Sequence, residues 1–175
     1  RRALRRRVQQ PQVQPIESGM MQAASRAPCI WVDADACPVP IKQILFKAAE
    51  RTGIDLTLVA NHVMALPRSK YVHFVQVASG FDVADHEIVK RVGSGDLVVT
   101  QDIPLAAEVV EEGAWVLNTR GERLDRDNVR ARLNMRDFMD TMRSTGVVTG
   151  GPPPLSANDK HLFAGALDRW LASVR

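Results

Sequence analysis

Short apolar runs and longer amphipathic segments alternate along this chain. Runs rich in β-branched residues predict strands at 29–34, 55–60, 71–78, 96–100 and 114–117. The segments between them have helical periodicity and predict helices at 40–52, 83–92 and 104–112. Gly53 and Gly113 stand where two of these helices should end. This alternation predicts a mostly parallel sheet covered by helices on both faces, a three-layer α/β/α sandwich.

After residue 120 the pattern becomes helical, with one or two amphipathic segments expected to end at Gly146. A Gly/Pro-rich break follows at 149–155, and Ser156 with Asp159 resembles a capping box that opens a helix over 156–174. That helix has an apolar stripe, formed by Leu162, Phe163, Ala166, Leu167, Trp170 and Val174. We expect the stripe to pack on the domain, and a homodimer interface is the alternative.

Charge is unevenly distributed between the first 28 residues and the rest of the chain. Six arginines against one glutamate give residues 1–28 a charge of +5, so the whole-chain charge of +3 leaves −2 for the remainder. A basic tail of this kind is typical of RNA or anionic-membrane contacts and of organelle transit peptides. Its many Gln and Pro residues favour a disordered tail or an overlong gene start instead. We expect residues 29–175 to form one domain.

Composition also bears on the compartment. No apolar run approaches the roughly 20 residues of a membrane-spanning helix, so we expect no membrane insertion. Cys29 and Cys37 lie on the order of 20 Å apart if the chain between them is extended, too far for a disulfide. Reduced thiols and the lack of a secretory signal favour the cytoplasm. Cys37 is a weak candidate nucleophile because no histidine lies near it in sequence.

Five aspartates fall where predicted strands end or helices begin: Asp33, Asp35, Asp82, Asp85 and Asp102. The carboxyl ends of parallel strands share one edge of a sheet, so these segments can deliver their carboxylates to a common crevice. Two carboxylates about 5 Å apart repel by roughly 3 kcal/mol at an effective dielectric constant near 20. A retained proton or a divalent cation would relieve that repulsion, and an all-oxygen ligand set favours Mg²⁺ or Mn²⁺.

Each aspartate also has a structural interpretation. The period of two in a strand places Asp33 and Asp35 on the same side, although Asp35 could be a turn residue and Asp33 could pair with an arginine. Asp82 and Asp102 each fit the N-cap of a following helix. Asp85 is harder to explain structurally, because helical periodicity turns it toward the sheet.

Other polar residues near this predicted edge are candidates for supporting roles. Thr100 lies two residues before Asp102, and its hydroxyl could orient a ligand water or a carboxylate, so we count it among the substrate-binding candidates. Arg68 and Lys70 could hold a phosphodiester substrate, although charged loop residues are often only solvated. The four histidines have no metal-binding spacing, so we expect surface or structural roles: His62, His73, His86 and His161.

Six segments of the chain are long and specific enough to indicate a known family: IWVDADACPVPIK (30–42), LTLVANH (56–62), ASGFDVADHEIV (78–89), GDLVVTQDIPLAAEV (95–109), RLNMRDFMDTMRSTG (132–146) and TGGPPPLS (149–156). On these segments the chain resembles the YaiI/YqxD family of bacterial proteins. This family is grouped by fold with PIN-like nuclease domains. The resemblance implies an α/β/α sandwich whose acidic residues bind Mg²⁺ or Mn²⁺ for hydrolysis of RNA or DNA.

Under this resemblance, Asp33 is similar to the acid that follows the first strand of PIN-like domains. Thr100 and Asp102 resemble their T-x-D motif, and Asp82 or Asp85 takes the place of the acid on the mid-chain helix, which is often Glu in those domains. Asp35 is an additional acid in this chain.

We therefore expect a metal-dependent phosphodiesterase, specifically a ribonuclease, in which Asp33, Asp85 and Asp102 bind the metal. Asp35 and Asp82 would complete the shell or orient the attacking water.

Two other functions fit parts of the sequence. A D-x-D motif after a first strand also occurs in phosphatases of the haloacid dehalogenase type, but those enzymes place their second acidic pair later in the chain. A non-catalytic module would use Arg132 and Arg136, with the loop cations, to bind RNA or a protein.

Overall fold

A computed structural model describes residues 26–80, 82–146 and 153–174. The expected basic tail therefore lies outside the described residues up to position 25, and so do residues 149–152 of the Gly/Pro-rich break. The elements in chain order are β1 (Ile30–Asp33), α1 (Val39–Thr52), β2 (Leu56–Ala60), β3 (Val72–Gln76), α2 (Val83–Arg91), β4 (Leu97–Val99), α3 (Ile103–Glu111), β5 (Trp115–Leu117), β6 (Arg123–Leu124), α4 (Arg126–Ser144) and α5 (Ala157–Ser173).

The six strands form one sheet in the order β3-β2-β1-β4-β5-β6. The first five in this spatial order are parallel, and β6 pairs antiparallel with β5. The predicted mostly parallel α/β sheet is confirmed, whereas β6 is an element that the sequence pattern did not predict. Chain order reverses between β1 and β4, and this place is the switch point of the sheet. In α/β sheets, ligands bind in the crevice at the carboxyl ends of the strands at the switch point.

Helices cover both faces of the sheet. On one face α1 and α5 bury Ile41, Leu45, Phe163 and Trp170 against the strands. On the other face α2, α3 and α4 contribute a second apolar cluster, which includes Ile88, Leu105, Val109 and Val129. The three-layer sandwich expected from the alternation of strands and helices is therefore what the chain forms.

The final helix packs on the domain, as the apolar stripe predicted. Ser156 and Asp159 form the expected capping box at its start. Phe163, Leu167 and Trp170 are buried, but Leu162 is 49% exposed and does not belong to the buried stripe. At Leu162 it is the backbone that makes a close contact.

That backbone contact depends on Gly121, in the turn between β5 and β6. A Cβ atom at this position would lie 2.5 Å from the carbonyl carbon of Leu162 and 2.6 Å from the backbone nitrogen of Phe163. Gly121 also has a φ of +85°, in the left-handed region that glycine adopts easily. This turn can therefore approach α5 closely only because it lacks a side chain.

A buried carboxylate ties together the amino-terminal edge of the sheet. Asp96, directly before β4, is only 2% exposed. Its oxygens accept hydrogen bonds from Trp31 Nε1 at 3.0 Å, Gly93 N at 2.8 Å and Cys29 N at 3.1 Å, and pair with Arg26 at 2.6 Å. These four donors compensate for the burial of a charge.

Helix α4 is about twice as long as α3, against which it packs. Of its residues only Val129 is buried, and Met135 and Phe138 are each 57% exposed. The single helix confirms the expected helical segment before Gly146. No helix of the described part is both long and apolar enough to cross a membrane.

Candidate metal centre

Two neighbouring strands place Asp33 and Thr100 in contact at the carboxyl edge of the sheet. Thr100 Oγ1 donates a hydrogen bond to Asp33 Oδ2 at 3.1 Å and accepts one from the backbone nitrogen of Asp102 at 3.0 Å. The threonine is 1% exposed, so its hydroxyl has little freedom to turn elsewhere. This is the orienting contact that the sequence predicted for Thr100, and it fixes Asp33 at the switch point.

Asp102 is the N-cap of α3, which the sequence also indicated. Its Oδ1 accepts a hydrogen bond from the backbone nitrogen of Leu105 at 3.0 Å. A capping carboxylate uses one oxygen for the helix and can leave the other available. Asp102 therefore serves the fold and lies in the acidic cluster at the same time.

Asp82 stands at the start of α2 but does not cap it as expected. Among the described residues it is the only non-glycine residue with positive φ, at +62°, and its side chain makes no capping hydrogen bond within that part of the chain. The left-handed conformation costs a non-glycine residue roughly 1 to 2 kcal/mol. Among the described residues, the Asp82 carboxylate is thus left without a capping bond to α2.

Three of the five aspartates come together around this point. Ligand oxygens of Asp82, Asp85 and Asp102 all lie within 4.8 Å of one another. Asp82, Asp85 and His86 line a small cavity of about 40 Å³ together with Pro104, Leu105 and Glu108. A cavity of this size suits an ion or a water molecule rather than an organic ligand.

Electrostatics in the cluster favour a bound proton or cation. Burial raises the pKa of Asp85 to about 8, together with the charge of Asp102, a hydrogen bond to Asp102 and the charges of Asp33 and Asp82. Burial also raises the pKa of Asp33, and the charges of Asp102 and Asp35 raise it further, while the Thr100 hydrogen bond opposes the shift. Asp33 is therefore electrostatically part of the same cluster as Asp85 and Asp102.

Asp35 has its partners on the β2 side of β1, whereas Asp33 is bonded to Thr100 on the β4 side. Its Oδ2 accepts a hydrogen bond from Asn61 N at 2.9 Å, and its Oδ1 lies 2.9 Å from His62 Nδ1. The period of two does not extend to Asp35, because β1 ends at Asp33 and Asp35 lies in the following turn. Sequence reasoning missed the role of His62, since its partner lies on another loop and no local motif signals the pair.

The predicted substrate cations are not all at this edge of the sheet. Lys70 precedes Tyr71, whose carbonyl oxygen accepts a hydrogen bond from Leu56 N at the opposite, amino-terminal edge. Arg68 is exposed on the long loop that connects the two edges. On α4, Arg132 pairs with Glu122, and Arg136 is exposed.

The cysteine chemistry considered for this region has no support in the structure. Cys37 is a buried free thiol, and burial raises its pKa to about 12. A thiol with such a pKa is almost wholly protonated near neutral pH and is a poor nucleophile.

Fold and site together define an α/β protein with a carboxylate cluster at the switch point of its sheet. The chain also matches the family model described as "Uncharacterized BCR, YaiI/YqxD family" over residues 31–173. The protein belongs to this family.

Similar proteins occur in several bacteria. The chain is 64% identical over 142 residues to a UPF0178 protein of Hydrogenovibrio crunogenus, covering 81% of this chain and 94% of that one. It is 65% identical over 143 residues to a UPF0178 protein of Halorhodospira halophila, with 82% and 95% covered. A UPF0178 protein of Yersinia pestis is 62% identical over 146 residues, with 83% and 96% covered.

Proposed function

We propose that this protein is a divalent-metal-dependent phosphodiesterase that hydrolyses RNA. The observation that carries the proposal is the approach of Asp82, Asp85 and Asp102 to within 4.8 Å at the switch point. Asp33 lies close enough to affect the pKa of Asp85 and is itself held by Thr100. Hydrolysis at such a site fits the implied PIN-like relationship.

The residues fit Mg²⁺ or Mn²⁺ by their chemistry. All of them offer carboxylate oxygens, which these hard cations prefer, and the cluster contains neither cysteine nor the paired histidines of a zinc site. The proton that Asp85 retains up to a pKa of about 8 relieves the same repulsion that a cation would relieve. We assign Asp85 and Asp102 as ligands from the cluster and add Asp33, which lies outside it but close enough to interact electrostatically with both, with Asp82 beside them.

A bound ion would activate a water molecule and neutralise charge on the phosphate. The residues of the chain hold the geometry for this chemistry. Thr100 fixes the Asp33 carboxylate, and the first turn of α3 fixes Asp102. Because Asp82 caps no helix among the described residues, its carboxylate can accept a hydrogen bond from the attacking water.

Calorimetric titration of Mn²⁺ and Mg²⁺ into chelator-treated protein tests the site. We expect saturable binding by the wild type and at least tenfold weaker binding by Asp33→Asn. Asp55→Asn is the matched control, because Asp55 is an exposed carboxylate at the other edge of the sheet. Equal binding by Asp33→Asn and the wild type would contradict the ligand assignment.

Cleavage assays on single-stranded RNA with Mn²⁺ test the reaction itself. We expect hydrolysis by the wild type and by Asp55→Asn, and none by Asp33→Asn. Hydrolysis of small phosphomonoesters without any cleavage of nucleic acid would indicate a phosphatase instead. Salt-dependent RNA binding without cleavage would indicate a binding module.

A further inference from the structure

His62 is held in one defined orientation at the carboxyl edge of the sheet. Its Nδ1 lies 2.9 Å from Asp35 Oδ1 and 2.9 Å from Asn61 Oδ1. Both neighbours are hydrogen-bond acceptors, so Nδ1 must be the nitrogen that carries the hydrogen. Asp35 is itself fixed by the backbone nitrogen of Asn61. The turn after β1 and the loop after β2 thus orient the ring together.

This arrangement leaves Nε2 available for another molecule. The His62 side chain is 63% exposed. With the hydrogen on Nδ1, the Nε2 of a neutral imidazole has a lone pair and can only accept a hydrogen bond. In the sugar-phosphate backbone of a nucleic acid, the ribose 2′-hydroxyl is the group that can donate such a bond, and DNA lacks it.

The position of His62 suits contact with the same substrate. Strand β2 lies beside β1 in parallel, with Val59 opposite Asp33, and His62 follows the end of β2 by two residues. Adjacent strands are about 4.8 Å apart, so His62, three residues beyond Val59, lies on the side of Asp33 that faces away from Asp102. A nucleotide that adjoins the scissile phosphate can therefore lie against the ring.

We propose that His62 Nε2 accepts a hydrogen bond from a ribose 2′-hydroxyl and thereby selects RNA over DNA. Asp35 is the positioning residue that orients the ring. This inference rests on the proposed phosphodiesterase function, and it assigns to His62 and Asp35 a role in substrate discrimination.

The test compares an all-ribose oligonucleotide with copies in which one nucleotide next to the cleaved bond is deoxyribose. The measured quantity is kcat/KM with Mn²⁺. We expect one deoxyribose position to lower the wild-type value about 3- to 10-fold, the range of a single hydrogen bond. In His62→Ala the ribose and deoxyribose substrates should be cleaved equally well.

His73→Ala provides a matched control. His73 forms the same type of pair with Asp55, Nε2 to Oδ1 at 3.1 Å, but it lies at the amino-terminal edge of the sheet. This variant should discriminate between the two sugars as well as the wild type does.

Two variants of Asp35 separate orientation from general stability. Asp35→Ala removes one of the two acceptors at Nδ1 and should weaken discrimination, whereas Asp35→Glu keeps a carboxylate that can still accept from Nδ1 and should preserve it better. Nitrogen NMR of His62 should show hydrogen on Nδ1 in the wild type, with more tautomer exchange in Asp35→Ala than in Asp35→Glu.

Three outcomes would overturn the inference. Equal cleavage of ribose and deoxyribose substrates by the wild type would leave the phosphodiesterase function intact but exclude the 2′-hydroxyl contact. An equal loss on both substrates in His62→Ala would indicate a phosphate contact. No cleavage of any oligonucleotide by the wild type would reject the proposed function itself, and the inference with it.

Discussion

Thr100 Oγ1 lies 3.1 Å from Asp33 Oδ2, so the ends of two adjacent strands are joined by one partly buried hydrogen bond. The same oxygen accepts the backbone hydrogen of Asp102 at 3.0 Å. A single hydroxyl therefore positions one proposed metal ligand and the backbone of another. Groups that orient ligands in this way affect metal affinity without touching the metal.

Thr100→Val should weaken Mn²⁺ binding about tenfold, because it removes the hydrogen-bond donor and keeps the side-chain shape. It should also lower the free energy of unfolding by about 1 kcal/mol, since the backbone hydrogen of Asp102 loses its partner. Calorimetry and urea denaturation measure the two effects. Thr100→Ser retains the hydroxyl and serves as the control, and wild-type affinity in Thr100→Val would refute the orienting role.

Asp85→Asn should stabilise the metal-free protein at high pH. The pKa of Asp85 is raised to about 8 in the folded state, against roughly 4 in the unfolded chain. The free energy of unfolding of the wild type therefore falls as pH rises from roughly 4 to about 8, because the folded state keeps a proton on Asp85 that the unfolded state releases. The side-chain amide in Asp85→Asn does not titrate, so this variant should not lose stability over the same pH range.

Because Asp85 is only partly buried, solvent screening reduces the gain in Asp85→Asn to about 1 to 2 kcal/mol at pH 9. Urea denaturation in chelator at pH 5 and pH 9 measures it. Asp55→Asn should show no comparable difference. If Asp85→Asn and the wild type change in parallel with pH, the raised pKa is refuted.

Gly121→Ala should destabilise the protein by about 3 kcal/mol, because its Cβ would meet the backbone of α5 in addition to the unfavourable positive φ. Gly95 tests the cost of a positive φ alone, since its φ is +87° and a Cβ atom there would have no neighbour within 4 Å among the described residues. Gly95→Ala should cost only about 1 kcal/mol. Equal thermal denaturation midpoints for the two variants would contradict the close approach.

Asp96→Ala should lower the free energy of unfolding by about 3 kcal/mol or more, because Trp31, Gly93 and Cys29 lose a buried acceptor. Folded protein should still bind Mn²⁺, since Asp96 lies at the opposite edge of the sheet from the acidic cluster. Denaturation and calorimetry on the same sample check both statements. Loss of metal binding in folded Asp96→Ala would show that the two edges are coupled.

Sequence alone predicted the fold well because its strong signals are local. Each β-branched run became a strand within one or two residues, and Gly53 ended α1 in the left-handed conformation expected of a terminating glycine. Strand β6 escaped prediction because two residues, Arg123 and Leu124, carry no periodicity. Its pairing comes from the turn at Gly121 and not from its own composition.

The candidate site was predicted only where one segment determines the geometry. Asp102 as a cap and Thr100 as its neighbour follow from spacing within a single turn. The pairing of Asp35 with His62 depends on how two loops meet, which no local pattern contains. The left-handed backbone of Asp82 is likewise a tertiary outcome, since propensity alone favours an ordinary cap there.

The pairing of β1 with β4 sets Val32 opposite Val99 over only three residue pairs. A slip of one residue would turn every side chain of a strand to the other face and separate Asp33 from Thr100. Metal affinity would therefore report whether these two strands have aligned correctly. A preparation that is compact and rich in secondary structure, but misaligned at this pair, would be recognisable by its failure to take up the ion.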